Sequence, residues 1–209
     1  MTHLKVHIKF AWVAAILALA GCSSHKEDSD LQQTRVMQKR LNMAPISETA
    51  NLNLDPLWTL PQQGTYLEKV KAIIQGQEYT FSLHVTIESK KIDLVAFNDL
   101  YGRLYQLTWE PNSIEWSASQ HIPEALKPDN IIADFLLVHL PLTQLSPSIT
   151  GASIEEKQTD QGITRVVKAQ LTVLREIQCS KPLGSLWQRV IITNPQAGYK
   201  LDIQTVPLS

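Results

Sequence analysis

The chain has 209 residues, with 19 Lys and Arg against 20 Asp and Glu, a formal net charge of −1 and 44% hydrophobic residues. That length suits one domain with a sizeable core. The charge balance lacks the basic stripe that phosphate neutralisation demands, so no nucleic-acid partner is expected, and the local cluster Arg35, Lys39 and Arg40 reads as a solvated helix face.

His3, Lys5, His7 and Lys9 form a basic head, and Phe10 to Ala20 form an apolar run that ends in Leu19-Ala20-Gly21-Cys22. Head, greasy core and small residues before a cut are the anatomy of a signal peptide over 1–21. The run is shorter than the roughly 20 apolar residues that a membrane-spanning helix needs. The tetrad resembles the lipobox of bacterial lipoproteins. That resemblance implies diacylglyceryl attachment to the Cys22 thiol, cleavage before it and acylation of the new amino terminus, which together anchor a domain stably on a leaflet. Ser23 stands where the inner-membrane retention signal would carry Asp, so the resemblance points to the outer membrane, facing the periplasm. Removing 1–21 takes away Lys5 and Lys9 and leaves 188 residues with 17 basic and 20 acidic side chains. Cys179 is the other cysteine. With Cys22 lipidated it has no partner, and with Leu174, Ile177 and Leu183 nearby it reads as a small core hydrophobe.

Residues 22–63 read as the lipidated cysteine, a tether and an irregular lead-in. Ser23 to Asp30 is polar and charge-dense, Val36, Met37, Arg40 and Leu41 suggest a brief amphipathic helix, and Pro45, Pro56 and Pro61 with Asn51, Asn53 and Asp55 forbid long elements. Regular structure is expected from about Thr65, as a domain over 64–209.

From there the pattern has period two. Tyr79, Phe81, Leu83, Val85 and Ile87 alternate with Thr80, Ser82, His84, Thr86 and Glu88, as a strand with one buried and one wet face requires. Tyr66–Ile74 precedes it across a Gln75-Gly76-Gln77 turn, and Ile92–Asn98, Gly102–Trp109 and Ser113–Ala118 follow, giving an antiparallel meander. Pro128-Asp129-Asn130 starts a helix in which Ile131, Ile132, Phe135, Leu136 and Val138 to Leu140 recur until Pro141. Apolar residues wrap more than one side of it, so it should be sandwiched against the sheet. Strands resume at Ser153–Lys157, Ile163–Ala169, Thr172–Ile177, Trp187–Thr193 and Tyr199–Val206. About ten strands predict a mainly β fold, a strongly curved antiparallel half-barrel that stays unclosed, with the one main helix in or over its concave face. A closed lipocalin-like barrel is the competing architecture.

No nucleophile elbow, phosphate-binding glycine loop, dinucleotide fingerprint or zinc-spaced His and Cys pair is present, so no cofactor, metal or catalytic residue is assigned. His84, His121 and His139 read as satisfied or solvated, Glu155-Glu156 as a turn-proximal charge pair, and Asp129 with Asp134 as a helix start. The aromatics carry more weight. Phe81, Leu83, Val85, Tyr105, Leu107, Trp109 and Trp116 on the meander, with Phe135 on the helix, either pack as ordinary core or line a cleft for a hydrocarbon or conjugated ligand.

At Asn98 to Leu107 (NDLYGRLYQL), Ile122 to Pro141 (IPEALKPDNIIADFLLVHLP) and Leu186 to Val206 (LWQRVIITNPQAGYKLDIQTV) the chain resembles the lipoproteins of domain-of-unknown-function family 3261. Gly102-Arg103-Leu104, Asp134 before Pro141, and Asn194 with Gly198-Tyr199-Lys200-Leu201 carry the likeness. The resemblance implies association with aryl polyene pigments, conjugated acyl chains of the outer membrane. It also implies a fold similar to the lipoprotein-localisation proteins, an unclosed barrel with helices over its mouth. Unlike that fold's acceptor protein, this sequence shows no recognisable exposed apolar loop for lipoprotein insertion. The expectation is a non-catalytic outer-membrane lipoprotein, held to the membrane through Cys22, that binds or helps deliver a lipid or polyene ligand. The alternatives are a scaffold for envelope transport proteins and a hydrolase or acyltransferase acting on a lipid ester.

Overall fold

The computed structural model describes residues 35–39, 42–54, 63–123, 126–183 and 186–206, so Cys22 and its tether lie outside the described residues. In chain order the strands are β1 (Arg35–Lys39), β2 (Met43–Pro45), β3 (Asn51–Asn53), β4 (Gly64–Ile74), β5 (Gln77–Glu88), β6 (Lys91–Asn98), β7 (Gly102–Glu110) and β8 (Ser113–Ala118). Helices α1 (Pro128–His139) and α2 (Leu142–Ser148) come next. They lead into β9 (Ile149–Thr150), β10 (Ser153–Thr159), β11 (Gly162–Ala169), β12 (Thr172–Leu183), β13 (Leu186–Asn194) and β14 (Tyr199–Val206).

One antiparallel sheet of eleven strands runs in the order β1-β8-β7-β6-β5-β4-β14-β13-β12-β11-β10, and β2, β3 and β9 form a small second sheet. Both meanders form as their alternation requires, and β14 joins them by pairing Tyr199 with Ile74 through to Val206 with Leu67. The ends of the large sheet, β1 and β10, do not pair with each other, so the barrel stays open. The β-fold, the unclosed sheet and the main helix therefore stand as the sequence predicts, and the closed barrel does not form.

The sheet must curl. Side chains of α1 share a cavity wall with Tyr105 on β7, and backbone carbonyls of α1 accept hydrogen bonds from Arg165 on β11, with six strands between those two. A flat sheet would separate β7 from β11 by about 34 Å at normal strand spacing, whereas α1, at 12 residues, is only about 18 Å long. Register shifts at Ala96/Phe97 and Val167/Lys168 supply local bends. At Gly162 the backbone lies so close to its neighbour that an added Cβ would stand 2.0 Å from the Cys179 carbonyl oxygen, and φ is +149°. Only glycine fits there.

Helix α1 is the filling of the fold. Ile132, Ala133, Phe135, Leu136, Leu137 and Val138 are all buried, because one flank meets the large sheet and another the small one. Two features differ from the expected organisation. Val36 and Met37 lie in a strand paired with Ser117 and Trp116, not in a helix, while Arg40 and Leu41 fall outside the described residues. A five-residue segment offers too little periodicity to separate helix from strand, and the free edge of β8 decides the outcome. Regular structure also begins before Thr65, because β2 and β3 form a ladder with β9 that covers the outer side of α1.

Three charged side chains tie these layers together. Arg175 on β12 is 1% exposed; its Nε donates to Asp134 Oδ1 at 2.8 Å and its Nη1 to the Ile46 and Leu174 carbonyls at 3.0 and 2.9 Å. The Tyr199 hydroxyl donates to the other Asp134 oxygen. Arg165 donates from Nη1 to the Leu137 and Val138 carbonyls at 2.6 and 3.0 Å and from Nε to Glu156 at 2.8 Å. Those carbonyls belong to the last turn of α1, which has no partner of its own there, and the cation also complements the helix dipole. Removing one member of a buried pair leaves an uncompensated charge. Asp134→Leu and Arg175→Met should each therefore lower unfolding stability by about 3–5 kcal/mol, and the double variant should lose less than the sum. Chemical denaturation of the four proteins measures that coupling.

Candidate functional site

Between α1 and the concave face of the large sheet lies an apolar cavity of about 70 Å³. Its sheet walls are Glu68 and Val70 of β4, Phe81 and Leu83 of β5, Leu94 of β6, Tyr105 of β7, Val190 and Ile192 of β13, and Tyr199, Leu201 and Ile203 of β14. Helix α1 closes it with Asn130, Ile131, Asp134, Phe135, Val138 and His139, a stripe that follows the helical repeat, and Leu126 adds the last edge. A second hollow of about 170 Å³ shares Phe81, Tyr105 and Leu126 with the first and runs outward along Tyr79, Tyr101, His121 and Ile122.

Four of the eight proposed lining residues, Phe81, Leu83, Tyr105 and Phe135, come together on this cavity. The other four lie in the core behind it. Val85 and Leu107 are fully buried, Trp109 is buried with an indole N–H lacking a partner, and Trp116 stacks on the Tyr105 ring at 5.0 Å. Tyr105 also takes an edge contact from Phe81 at 6.3 Å, so the inner aromatics hold the wall rigid from both sides.

Polar groups on the wall are of two kinds. The Asp134 carboxyl, raised by burial and pulled back by Arg175 and Tyr199, is saturated by its partners. Glu68 is different. It is only 5% exposed, lines the cavity, and has no hydrogen bond or ion pair among the described residues. Burial pushes its carboxyl up to about 8, so at neutral pH it is mostly protonated. Burial first and Glu68 second raise the Tyr66 and Tyr105 hydroxyls above their ordinary value, and the Tyr66 hydroxyl is buried without a partner.

The three described histidines lie apart, each against an aromatic ring. His84 is exposed and meets the Phe97 ring edge-on at 5.6 Å, His121 stacks on Tyr101 at 4.4 Å, and His139 packs on Phe135 at 4.3 Å. Burial and then the Arg165 charge lower His139 to about 4, which keeps it neutral. Cys179 is buried, and its thiol is pushed up to about 12 by that burial, as suits a core side chain. Glu155 and Glu156 pair across the ladder with Lys168 and Arg165. Among the described residues no three His, Cys, Asp or Glu side chains converge on a metal-sized space, and no helix is long and apolar enough to cross a membrane. Two leucines project from turns, Leu100 at 77% and Leu171 at 99% exposure.

Sequence reading missed Glu68, Arg165 and Arg175, although the signal was present. Each occupies the inward register of its strand, between Tyr66 and Val70, Ile163 and Val167, and Val173 and Ile177. A charge at an in-phase position must be paired or functional. Asp134 is likewise no helix-start residue; it sits in the middle of α1 and faces the sheet.

Residues 65–207 match the domain-of-unknown-function family DUF3261, described as a protein of unknown function, and the chain belongs to that family. The sequence matches no curated protein. Among solved structures the chain is similar to a Vibrio parahaemolyticus domain whose description assigns it to outer membrane lipoprotein sorting. The two are 8% identical with a TM-score of 0.34, over 71% of this chain and 86% of that one. At that level the likeness bears on neither ligand nor partner.

Because the folded carboxyl of Glu68 titrates near 8 against 4.5 for an ordinary glutamate, the folded state holds a proton that the unfolded chain has lost. Its contribution to stability is complete below about pH 4.5 and is lost as pH rises to about 8, at about 1.4 kcal/mol per unit across that window. Glu68→Gln should remove this slope. Denaturant unfolding of both proteins between about pH 5 and pH 9 checks it.

Proposed function

We propose that this protein is a non-catalytic, outer-membrane-anchored periplasmic lipoprotein that holds the acyl part of a lipid or aryl-polyene-type ligand between α1 and its open sheet and assists its delivery. The observation that carries the reading is the apolar cavity under α1 with its outward extension past Tyr101 and His121. Apolar surface withdrawn from water there would contribute about 25 cal/mol per Å². Lipidation at Cys22 would supply location, and the signal-like segment and tetrad at 19–22 support it.

Size decides how the cavity would work. At about 70 Å³ the inner space holds a few methylenes or waters and not a whole chain, since even benzene needs a site of about 150 Å³. Uptake therefore requires α1 to shift away from the sheet. The helix is held unevenly: Arg165 and Arg175 grip its middle and end, whereas its N-cap, Lys127, makes no side-chain capping bond. The first turn, with Asn130 and Ile131, is the end able to lift.

The small volume also favours a second reading, a membrane-tethered scaffold for envelope transport proteins whose concave face is filled by its own helix. Ligand binding separates the two. A chain carrying Cys22→Ser should retain acyl lipids through purification, seen by mass spectrometry, and should bind a fluorescent conjugated fatty acid. Ile131→Trp, which fills the cavity from α1, should weaken that binding at least about tenfold, or about 1.4 kcal/mol, with little change in melting temperature. Absence of both lipid and binding, with a protein partner co-purifying, would support the scaffold instead. Metabolic labelling with radioactive palmitate should mark the wild type and not Cys22→Ser.

A further inference from the structure

The cavity has a direction. Along β5, Tyr79 lines the outer hollow, Phe81 both hollows and Leu83 the inner one, opposite Ala72, Val70 and Glu68 of β4 respectively. From Tyr79 to Leu83 is about 13 Å of strand. Beyond Glu68 the next facing pair, Tyr66 and Val85, is buried and closes the end. A carboxyl thus stands at the blind end of a wall whose neighbouring β4 and β5 residues, Val70, Phe81 and Leu83, are apolar.

Glu68 does not stand alone there. Successive antiparallel pairs place Glu68 opposite Leu83, Leu83 opposite Ala96, and Ala96 opposite Tyr105, a row across four strands whose middle is kept low by the small Ala96. Both ends of the row carry a hydroxyl-bearing group facing the cavity, and Tyr66 adds a buried hydroxyl without a partner. No cation is among the lining residues. A buried carboxyl without a cation is held in its protonated form, which donates a hydrogen bond. Asp134 on the opposite wall is consumed by Arg175 and Tyr199 and has nothing left to offer.

We propose that Glu68, assisted by Tyr105, is the polar anchor for the carbonyl end of an acyl ligand, an ester or a protonated carboxylic acid, whose chain lies outward toward Tyr79 and Tyr101. The Glu68 O–H donates to the ligand carbonyl, and the Tyr105 O–H donates to the same oxygen or to the Glu68 carbonyl. No bond is made or broken. The assignment rests on the ligand-holding reading above, and it adds which end of the ligand is recognised and by what.

The test compares three probes of equal chain length, a fatty-acid methyl ester, the corresponding alkane and the corresponding alkylamine, by displacement of a fluorescent conjugated hydrocarbon from the whole chain carrying Cys22→Ser. The ester should bind about tenfold tighter than the alkane, the worth of one or two buried hydrogen bonds. Glu68→Leu should bring that ratio close to one while leaving alkane affinity in place, and Glu68→Gln, whose amide still donates, should keep most of it. Tyr105→Phe should reduce it about threefold. An ester-to-alkane ratio unchanged in Glu68→Leu, or an amine that binds more tightly than the ester, overturns the assignment and leaves the cavity reading intact. Failure of every variant to bind the fluorescent hydrocarbon overturns the cavity reading and the assignment together.

Discussion

The guanidinium of Arg175 holds the architecture together. From one strand of the large sheet it reaches Asp134 in the middle of α1, the Ile46 carbonyl beside the small sheet, and the face of the Tyr199 ring at 5.8 Å. Burying that charge is costly, and an apolar substitute of the same shape would often match it in stability. What the ion pair adds is geometry: hydrocarbon alone would let α1 rotate or slide in its groove, whereas a fixed guanidinium fork admits one position of the helix. Tyr199 owes its place to the turn before it, where the buried Asn194 accepts the Ala197 N–H and Gly198 takes a positive φ of 68°. Three of the residues that carry the family likeness, Asp134, Asn194 and Tyr199, are thus members of one structural node.

The arrangement around α1 follows from this. Its C-terminal half is fixed by two arginines from the sheet, and its N-cap, Lys127, makes no side-chain capping bond. The cavity lies against the helix from Asn130 to His139, and the outer hollow runs beside Leu126, just before its first turn. A site in which one wall is rigid and the other hinged can be small when empty without being small when filled.

Much of this was legible in the sequence. Alternation from Tyr79 to Glu88 dictates β5, the Pro128-Asp129-Asn130 start and the Pro141 stop frame α1, and the apolar surplus on α1 anticipates a helix covered on two sides. The remainder depends on distant partners. Val36 and Met37 could not reveal a strand, because only the edge of β8 makes one; α2 is a single short stretch of seven residues containing Pro147. Of the aromatic and aliphatic candidates, Phe81 and Tyr105 face the cavity while Trp109 and Val85 lie behind it, a difference set by where α1 rests and invisible to a period-two pattern. Glu68, Arg165 and Arg175 break the pattern in the sequence itself, and the break marks the clamp and the candidate anchor.

The unjoined margins of the large sheet have one more effect. In a closed barrel every strand is bonded on both sides, and widening the lumen breaks a full ladder of backbone hydrogen bonds. Here β1 and β10 are free of each other, and β10 carries Glu155, Glu156 and Lys157, charges that discourage a foreign strand from docking along it. The trough is therefore able to splay like a half-open hand, by small changes of twist spread over eleven strands, with its entire set of interstrand bonds preserved.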